Sequence, residues 1–344
     1  MQLVARRHSI FSHRIASVRG PHWLRGTRFN TLRAFDIGLA VSRSQTAMLS
    51  NRQNLGLLLG VLGVAVFAGS LPASRVAVSE VDPYFLTAMR ATLAGLGGLT
   101  MLLITRRKFP PREAWWPLVA TAITIVLGFP LLSAMAMVTV PSSHGGVILG
   151  IMPLATTAAA AVIEGERPSA GFWIAAMIGS ALVMAFAIYR SGGYSLSAGD
   201  LLLLVAVVCG GIGYTYSGQL AGLMPGWEVI SWAVVISLPL SLLAAFFTWP
   251  TDAGAISPRV WSAILYAGLM AQFVGFFLWN AAMAMAGISR IGQIGLLQPV
   301  FVALIAAAFA REPLDPVTLM FVAAVIATVA IGTRLRVRRS PGPA

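Results

Sequence analysis

From Leu55 onward the sequence passes through one apolar stretch after another. Each is close to the ~20 residues a helix needs to cross the hydrocarbon of a bilayer. Ten can be read, at 55–74, 84–104, 117–138, 143–163, 170–189, 200–220, 228–249, 260–285, 289–310 and 316–333, with short polar breaks between them. They are too long and too uniformly apolar for barrel strands, which alternate over about 10 residues. A helix satisfies its own backbone in lipid, so the expected fold class is an all-α polytopic membrane protein with ten transmembrane helices. Composition agrees: 10% of residues are charged, against about 25% in a soluble domain. Such a chain cannot face water all round, which excludes soluble enzymes, secreted scaffolds and disordered proteins. Cys209 is the one cysteine, so there is neither a disulfide framework nor a CxxC metal knot.

The formal charge of +13 could suggest a nucleic-acid partner. Its distribution argues against one, because the basic residues crowd into the N-terminal tail, one loop and the C-terminus. That arrangement sets topology. With the N-terminus in the cytoplasm, the inner segments carry 19 basic residues and the outer loops carry 4, Arg75, Arg190, Arg259 and Arg311. Both termini are therefore expected inside, in a bacterial cytoplasmic (inner) membrane. Residues 1–52 stand apart, with nine Arg against the single acid Asp36. They read either as an Arg-rich transit peptide or as sequence upstream of a true start at Met48. Residues 334–344 form a basic tail on the same side.

Shifting the sequence by 146 residues aligns the middle of one half with the other without a gap. Ser143, Gly146, Ile148, Pro153, Ala160, Ala161 and Glu166 fall on Ser289, Gly292, Ile294, Pro299, Ala306, Ala307 and Glu312. Leu132, Ala136 and Met137 fall on Leu278, Ala282 and Met283. Alanines match easily by chance; the Ser-x2-Gly…Pro-x12-Glu skeleton at identical spacing does not. Each half, 55–189 and 199–333, holds five spans, an odd number, so the two enter the membrane with opposite polarity. Two inverted-topology five-helix repeats are a recurring plan of secondary transporters, with the ligand near the midplane between them.

The stretches "GGVILGIMPLATTAAAAVIEGERPS" and "IGQIGLLQPVFVALIAAAFAREPL" resemble EamA-type members of the drug/metabolite transporter (DMT) superfamily. "FLWNAAMAMAGISR" is similar to the eighth helix of that family, and Arg90 to a basic residue early in its second helix. The resemblance covers about 55–333. It implies a carrier of small organic solutes, frequently an exporter, with a central cavity lined by helices 1, 3, 4, 6, 8 and 9. Gln298 before Pro299 departs from the commoner pattern, in which an acid or an apolar residue stands there.

Several polar or interrupting residues within the spans are candidates for the function. Pro153 and Pro299 lack an N–H and release the carbonyls of Leu149 and Gly295, which makes them either hinges or packed kinks. Gln272, Phe276 and Trp279 share one helix face at i, i+4 and i+7. With Gln298 they could line a cavity that holds a solute by ring faces and amides. The alternative for the amides, favoured for Asn280, is glue between helices. Phe67, Ser70 and Ser74 make a similar stripe, and Tyr214 lies near a span centre with Tyr216 and Ser217 beside it. Arg90 lies about 9 Å along its span at 1.5 Å per residue. On reach alone it snorkels to the outer interface; the sharper alternative is an anion contact at the outer mouth. Glu164, Glu166 and Glu312 end their helices against the helix dipole. For Glu166 and Glu312 that suggests a gate or latch, with Arg167 or Arg311 as partner, ahead of proton coupling. His144 reads as a solvated or capping residue.

The expected function is secondary transport, with export favoured, of a small organic metabolite, amino acid or drug-like solute by alternating access. The alternatives are a membrane-embedded enzyme or a channel. Intramembrane catalysis would need paired acids, a nucleophile with a distant His or a metal cluster, and the spans offer none of these. No cofactor and no metal are expected. The expected partners are the substrate and the lipid bilayer, with no nucleic acid, and a homodimer is left open.

Overall fold

The polar breaks in the sequence carry the signals that start and stop its helices. Asp82 accepts a hydrogen bond from the Tyr84 N–H at 2.7 Å, with Pro83 in the first turn, and opens α2 (Pro83–Ile104). Asp200 accepts from the N–H of Ser197 at 2.7 Å and opens α6 (Ala198–Leu220). The Ser257 hydroxyl accepts from the Val260 N–H and opens α8 (Pro258–Ala286). Such caps satisfy N–H groups that a helix start leaves without a partner. Gly287 separates α8 from α9 at φ 95°, and Gly165 ends α4 at φ 63°, a backbone region that favours glycine.

The computed structural model describes residues 51–140, 148–191, 197–298, 300–301, 316–335 and 337–338. Residues 52–344 form one compact unit. The remaining helices are α1 (Asn51–Ala77), α3 (Arg112–Thr139), α4 (Met152–Ile163), α5 (Ala170–Ser191), α7 (Gly226–Phe247), α9 (Ile288–Ile294 and onward) and α10 (Pro316–Arg334). Among the described residues, six helices are long and apolar enough to cross a membrane: α1, α2, α3, α6, α7 and α8. Shorter apolar helices occupy Met152–Ile163, Ala170–Ala185 and Leu319–Arg334. Large side chains such as Val162, Phe246, Phe247 and Met320 point outward, as a lipid-facing surface requires. The sequence did not suggest a short antiparallel pairing, β1 (Arg167–Pro168) with β2 (Val337–Arg338).

The two halves interleave. α2 packs on α7 and α8, α1 on α8, α6 on α3 and α4, α4 on α9, and α5 on α10. α3 also packs on α7, and α1 approaches α9 where Gly60 faces Ile291 and Ile294. Exchanging α1–α5 with α6–α10 leaves this set of pairings unchanged. α6, from the other half, packs along both α3 and α4. Glycines set some of these approaches. A Cβ on Gly98 would lie 2.9 Å from the Ser231 carbonyl, so α2 and α7 meet almost backbone to backbone.

Two helices contain π-helical turns, Ala122–Gly128 in α3 and Tyr266–Val274 in α8. The shift of 146 maps 122–128 onto 268–274, inside the second segment. Pro130 supplies no N–H to the Val126 carbonyl four residues back. Gln272 fills that gap, donating from Nε2 to Val126 O at 3.0 Å. Position 272 is the repeat mate of position 126, so the second half completes the first at the equivalent point.

Candidate functional site

One cavity gathers side chains from both halves. α1 contributes Val64, Phe67, Ser70 and Leu71; α2 contributes Arg90; α3 contributes Ile125, Phe129 and Pro130. Leu149 and Met152 come from the α4 region, Tyr214 from α6, and Ala271, Gln272, Phe276 and Trp279 from α8. Gly292, Gly295 and Gln298 complete it from α9 and its continuation. The eight side chains expected to contact a solute, Phe67, Ser70, Arg90, Tyr214, Gln272, Phe276, Trp279 and Gln298, all lie in this lining. The elements agree with those the family resemblance implies, with α2 added through Arg90.

Four pairs of lining residues are mates at the shift of 146: Ile125 with Ala271, Pro130 with Phe276, Leu149 with Gly295, and Met152 with Gln298. Sequence reasoning had singled out one member of two of these pairs, Phe276 and Gln298, and both members of a third, Leu149 and Gly295, for their backbone carbonyls. It missed Ile125, Ala271 and Pro130 for lack of any chemical signal, although Pro130 could have been found as a second helix-interrupting proline.

Four rings make the apolar wall. Phe67 meets Phe276 at 5.0 Å and Trp279 at 5.7 Å, and Tyr214 meets Trp279 at 5.2 Å and Phe276 at 6.0 Å, between centroids. All four contacts lie in the 4.5–7 Å range of favourable aromatic pairs. The unfilled space is about 750 Å³ including its opening.

The polar groups divide by what they already bind. Gln272 uses its amide nitrogen on Val126, while its Oε1 is buried without a partner. Gln298 donates to Phe67 O at 3.5 Å, a long bond that restrains the amide weakly. Trp279 Nε1 is buried without a partner. Asn280 is spent as glue, accepting from Ser217 Oγ at 2.6 Å and donating to Gly226 O at 3.1 Å.

Arg90 corrects the expectation based on reach. It is 4% exposed, faces the protein interior rather than snorkelling, and lines the cavity with Gln272. Among the described residues, its Nε is buried without a partner and no acidic residue is in the lining. Position along a span gives depth but not the face that a side chain takes.

The broken helices also differ in detail from expectation. α4 begins at Met152 after a turn at Gly150–Ile151, with Pro153 in its first turn, where a missing N–H costs nothing. The break thus precedes Pro153. In the second half, a 3-10 turn at Gly295–Leu297 occupies the corresponding place, and the Gln298 N–H donates to Gly295 O. That carbonyl, expected to be free, is taken. Pro299, Glu312 and His144 lie outside the described residues.

Outside the cavity, Glu166 is 4% exposed at the end of α4 and reaches the other half. It accepts hydrogen bonds from the Ser289 N–H at 3.2 Å and from the Ser289 hydroxyl. The sequence had pointed to Arg167 or Arg311 and did not suggest Ser289. Glu80, in the link between α1 and α2, accepts at 2.7 Å from both N–H and Oγ of Ser257, which hold its carboxyl below the usual carboxylate range. Arg107 pairs with Glu228 at 3.4 Å.

The EamA-like transporter family model matches residues 54–187 and again 197–333. The transporter YdeK of Bacillus subtilis is 40% identical over 284 residues, spanning 83% of this chain and 99% of its own length. A protein of Streptantibioticus cattleyicolor named as a terminal-alkyne amino-acid exporter is 28% identical, over 70% of this chain and 80% of its own. The aromatic amino acid exporter YddG of Ancylobacter novellus is 22% identical, over 71% and 84%. A solved crystal structure shares the fold at TM-score 0.67 and 19% identity, over 81% of this chain and 98% of its own. Two family copies and these relatives describe a multi-pass membrane transporter rather than an enzyme, and the chain belongs to the EamA-like transporter family.

Proposed function

We propose that this protein is a secondary carrier that exports a small organic metabolite, amino acid or drug-like solute by alternating access. It crosses a bacterial inner membrane ten times as two inverted five-helix repeats, with both termini in the cytoplasm. The observation that carries this reading is the cavity lining, in which four pairs of repeat mates face one space. A site on a pseudo-two-fold axis can be opened to either side by exchanging the conformations of the two halves. Helix pairings that survive the exchange of halves support the same reading, as do relatives named as amino-acid exporters.

In this mechanism the aromatic wall and the amides of Gln272 and Gln298 hold the solute, with Phe67, Ser70, Tyr214, Phe276, Trp279 and Arg90 around it. The interrupted backbone at Pro153, with its repeat mate Pro299, supplies the hinges. Glu166 on Ser289 latches one face, and the repeat register assigns the opposite latch to Glu312 and Ser143. The bilayer and the solute are the partners; no nucleic acid is required, and a homodimer is compatible with the site.

A channel is the second reading. Counterflow separates the two: purified protein in vesicles preloaded with unlabelled solute should transiently accumulate labelled solute above equilibrium. Metabolite comparison of deletion and overexpression cells, inside and out, supplies the solute. Flux that neither saturates nor shows counterflow would make the protein a channel.

A further inference from the structure

We propose that the cavity selects a monoanionic carboxylate with a flat apolar body, and that the membrane potential alone drives its export. The inference rests on the carrier reading and deepens it. Arg90 is buried, stays protonated in a protein, and has no acidic neighbour in the lining. A desolvated guanidinium without a counterion is costly, so the site favours negative charge. Two donors lack partners there, Arg90 Nε and Trp279 Nε1. A carboxylate offers two acceptor oxygens in one plane and suits a guanidinium fork. One acceptor, Gln272 Oε1, also lacks a partner and suits a neutral donor on the solute, such as a hydroxyl or amide N–H.

Charge then narrows the class. A neutral solute leaves Arg90 uncompensated, and an organic cation is repelled. A zwitterion brings a second positive charge to a lining with no acid to receive it. A monoanion makes the loaded site neutral. Among the described residues no span carries an acid near its centre: Glu80, Asp82, Glu113, Glu164, Glu166, Asp200, Glu228 and Asp252 all sit at helix ends or in links. Nothing midway binds and releases a proton against the solute. Each turnover therefore moves one net negative charge outward, and an inside-negative potential favours that direction by about 50-fold in concentration ratio per 100 mV.

Four compounds with one body and different charges test this: N-acetylphenylalanine (monoanion), phenylalanine (zwitterion), phenylalanine amide (cation) and N-acetylphenylalanine amide (neutral). Purified full-length protein in detergent is expected to be stabilised against heat by the monoanion at concentrations at least 10-fold below the others. Arg90→Gln should abolish this preference. Arg90→Lys, which retains charge without the fork, should weaken binding while preserving the order, and serves if Arg90→Gln does not fold. In vesicles, efflux of the monoanion should quicken when valinomycin and a potassium gradient make the interior negative. Binding led by another compound, no binding of the monoanion, or flux indifferent to the imposed potential would each overturn the proposal. Counterflow of a zwitterion without charge movement would leave the carrier reading standing while ending this one.

Discussion

Two glutamines on one cavity have separable roles. Gln298 is held only by a 3.5 Å bond to Phe67 O, so its amide is available to a solute. Replacing it with Leu should weaken transport affinity by roughly 5- to 150-fold, equivalent to about 1–3 kcal/mol for an unmatched polar group. Heat stability in detergent should hardly change. Gln272→Leu should do the reverse in its first effect, since it strips the partner from the Val126 carbonyl. A buried carbonyl left alone costs about 1–3 kcal/mol, so the melting temperature should fall even without solute. Measuring both properties on both variants decides the assignment, and identical profiles would refute it. The sequence made both glutamines candidates because an amide inside a span demands a partner. It could not divide the roles, because the division depends on Pro130 in the other half. Arg90 was misjudged for a related reason: reach along the helix axis was legible, the face it takes was not.

At the scale of helices, the breaks in α4 and after Ile294 occupy equivalent places, and so do the π segments of α3 and α8. The Pro positions revealed the first pair. Nothing in the local sequence revealed the second, since a π turn depends on which carbonyls a neighbouring helix satisfies. Glu166 gives this scale its test. Its bonds to Ser289 close the end of α4 over a crevice lined by Met285, Gly287 and Arg290. In a Cys209→Ser background, Met285→Cys should react with a membrane-impermeant thiol reagent several-fold faster once Glu166 is replaced by Ala. Unchanged labelling would remove the latch. Glu80 behaves differently with pH. Its folded carboxyl sits below the usual value, so its tie to Ser257 is present above the unfolded value and lost only as pH falls through the lower folded one. Glu80→Gln should therefore mimic strong acid and not mild acid, in the opening rate read by hydrogen exchange at the Ser257 N–H.

For the whole molecule, hydropathy identified the apolar helices, six of which among the described residues are long enough to span, and the 146-residue shift identified two related halves, because both are properties of chain order. The interleaving of those halves was not legible. α6 between α3 and α4, or α2 on α7, depends on surface shape and on glycines such as Gly98. Orientation rests on charge and is tested by fusions: a cytoplasm-active reporter should work after Phe109 or Arg339, and a periplasm-active one after Gly193 or Asp252. Finding Phe109 and Gly193 on one side would break the inverted repeat. The central claim is that the cavity between the halves opens to each side in turn. Gly295 tests it most directly, because it lines the cavity and a Cβ there meets nothing within 4 Å. Gly295→Cys, in the Cys209→Ser background, should fold and transport. An impermeant thiol reagent should reach it from either face of the membrane, less readily from each when that same face is latched, and labelling should stop counterflow. Access from one face only, or full counterflow after complete labelling, would contradict the account.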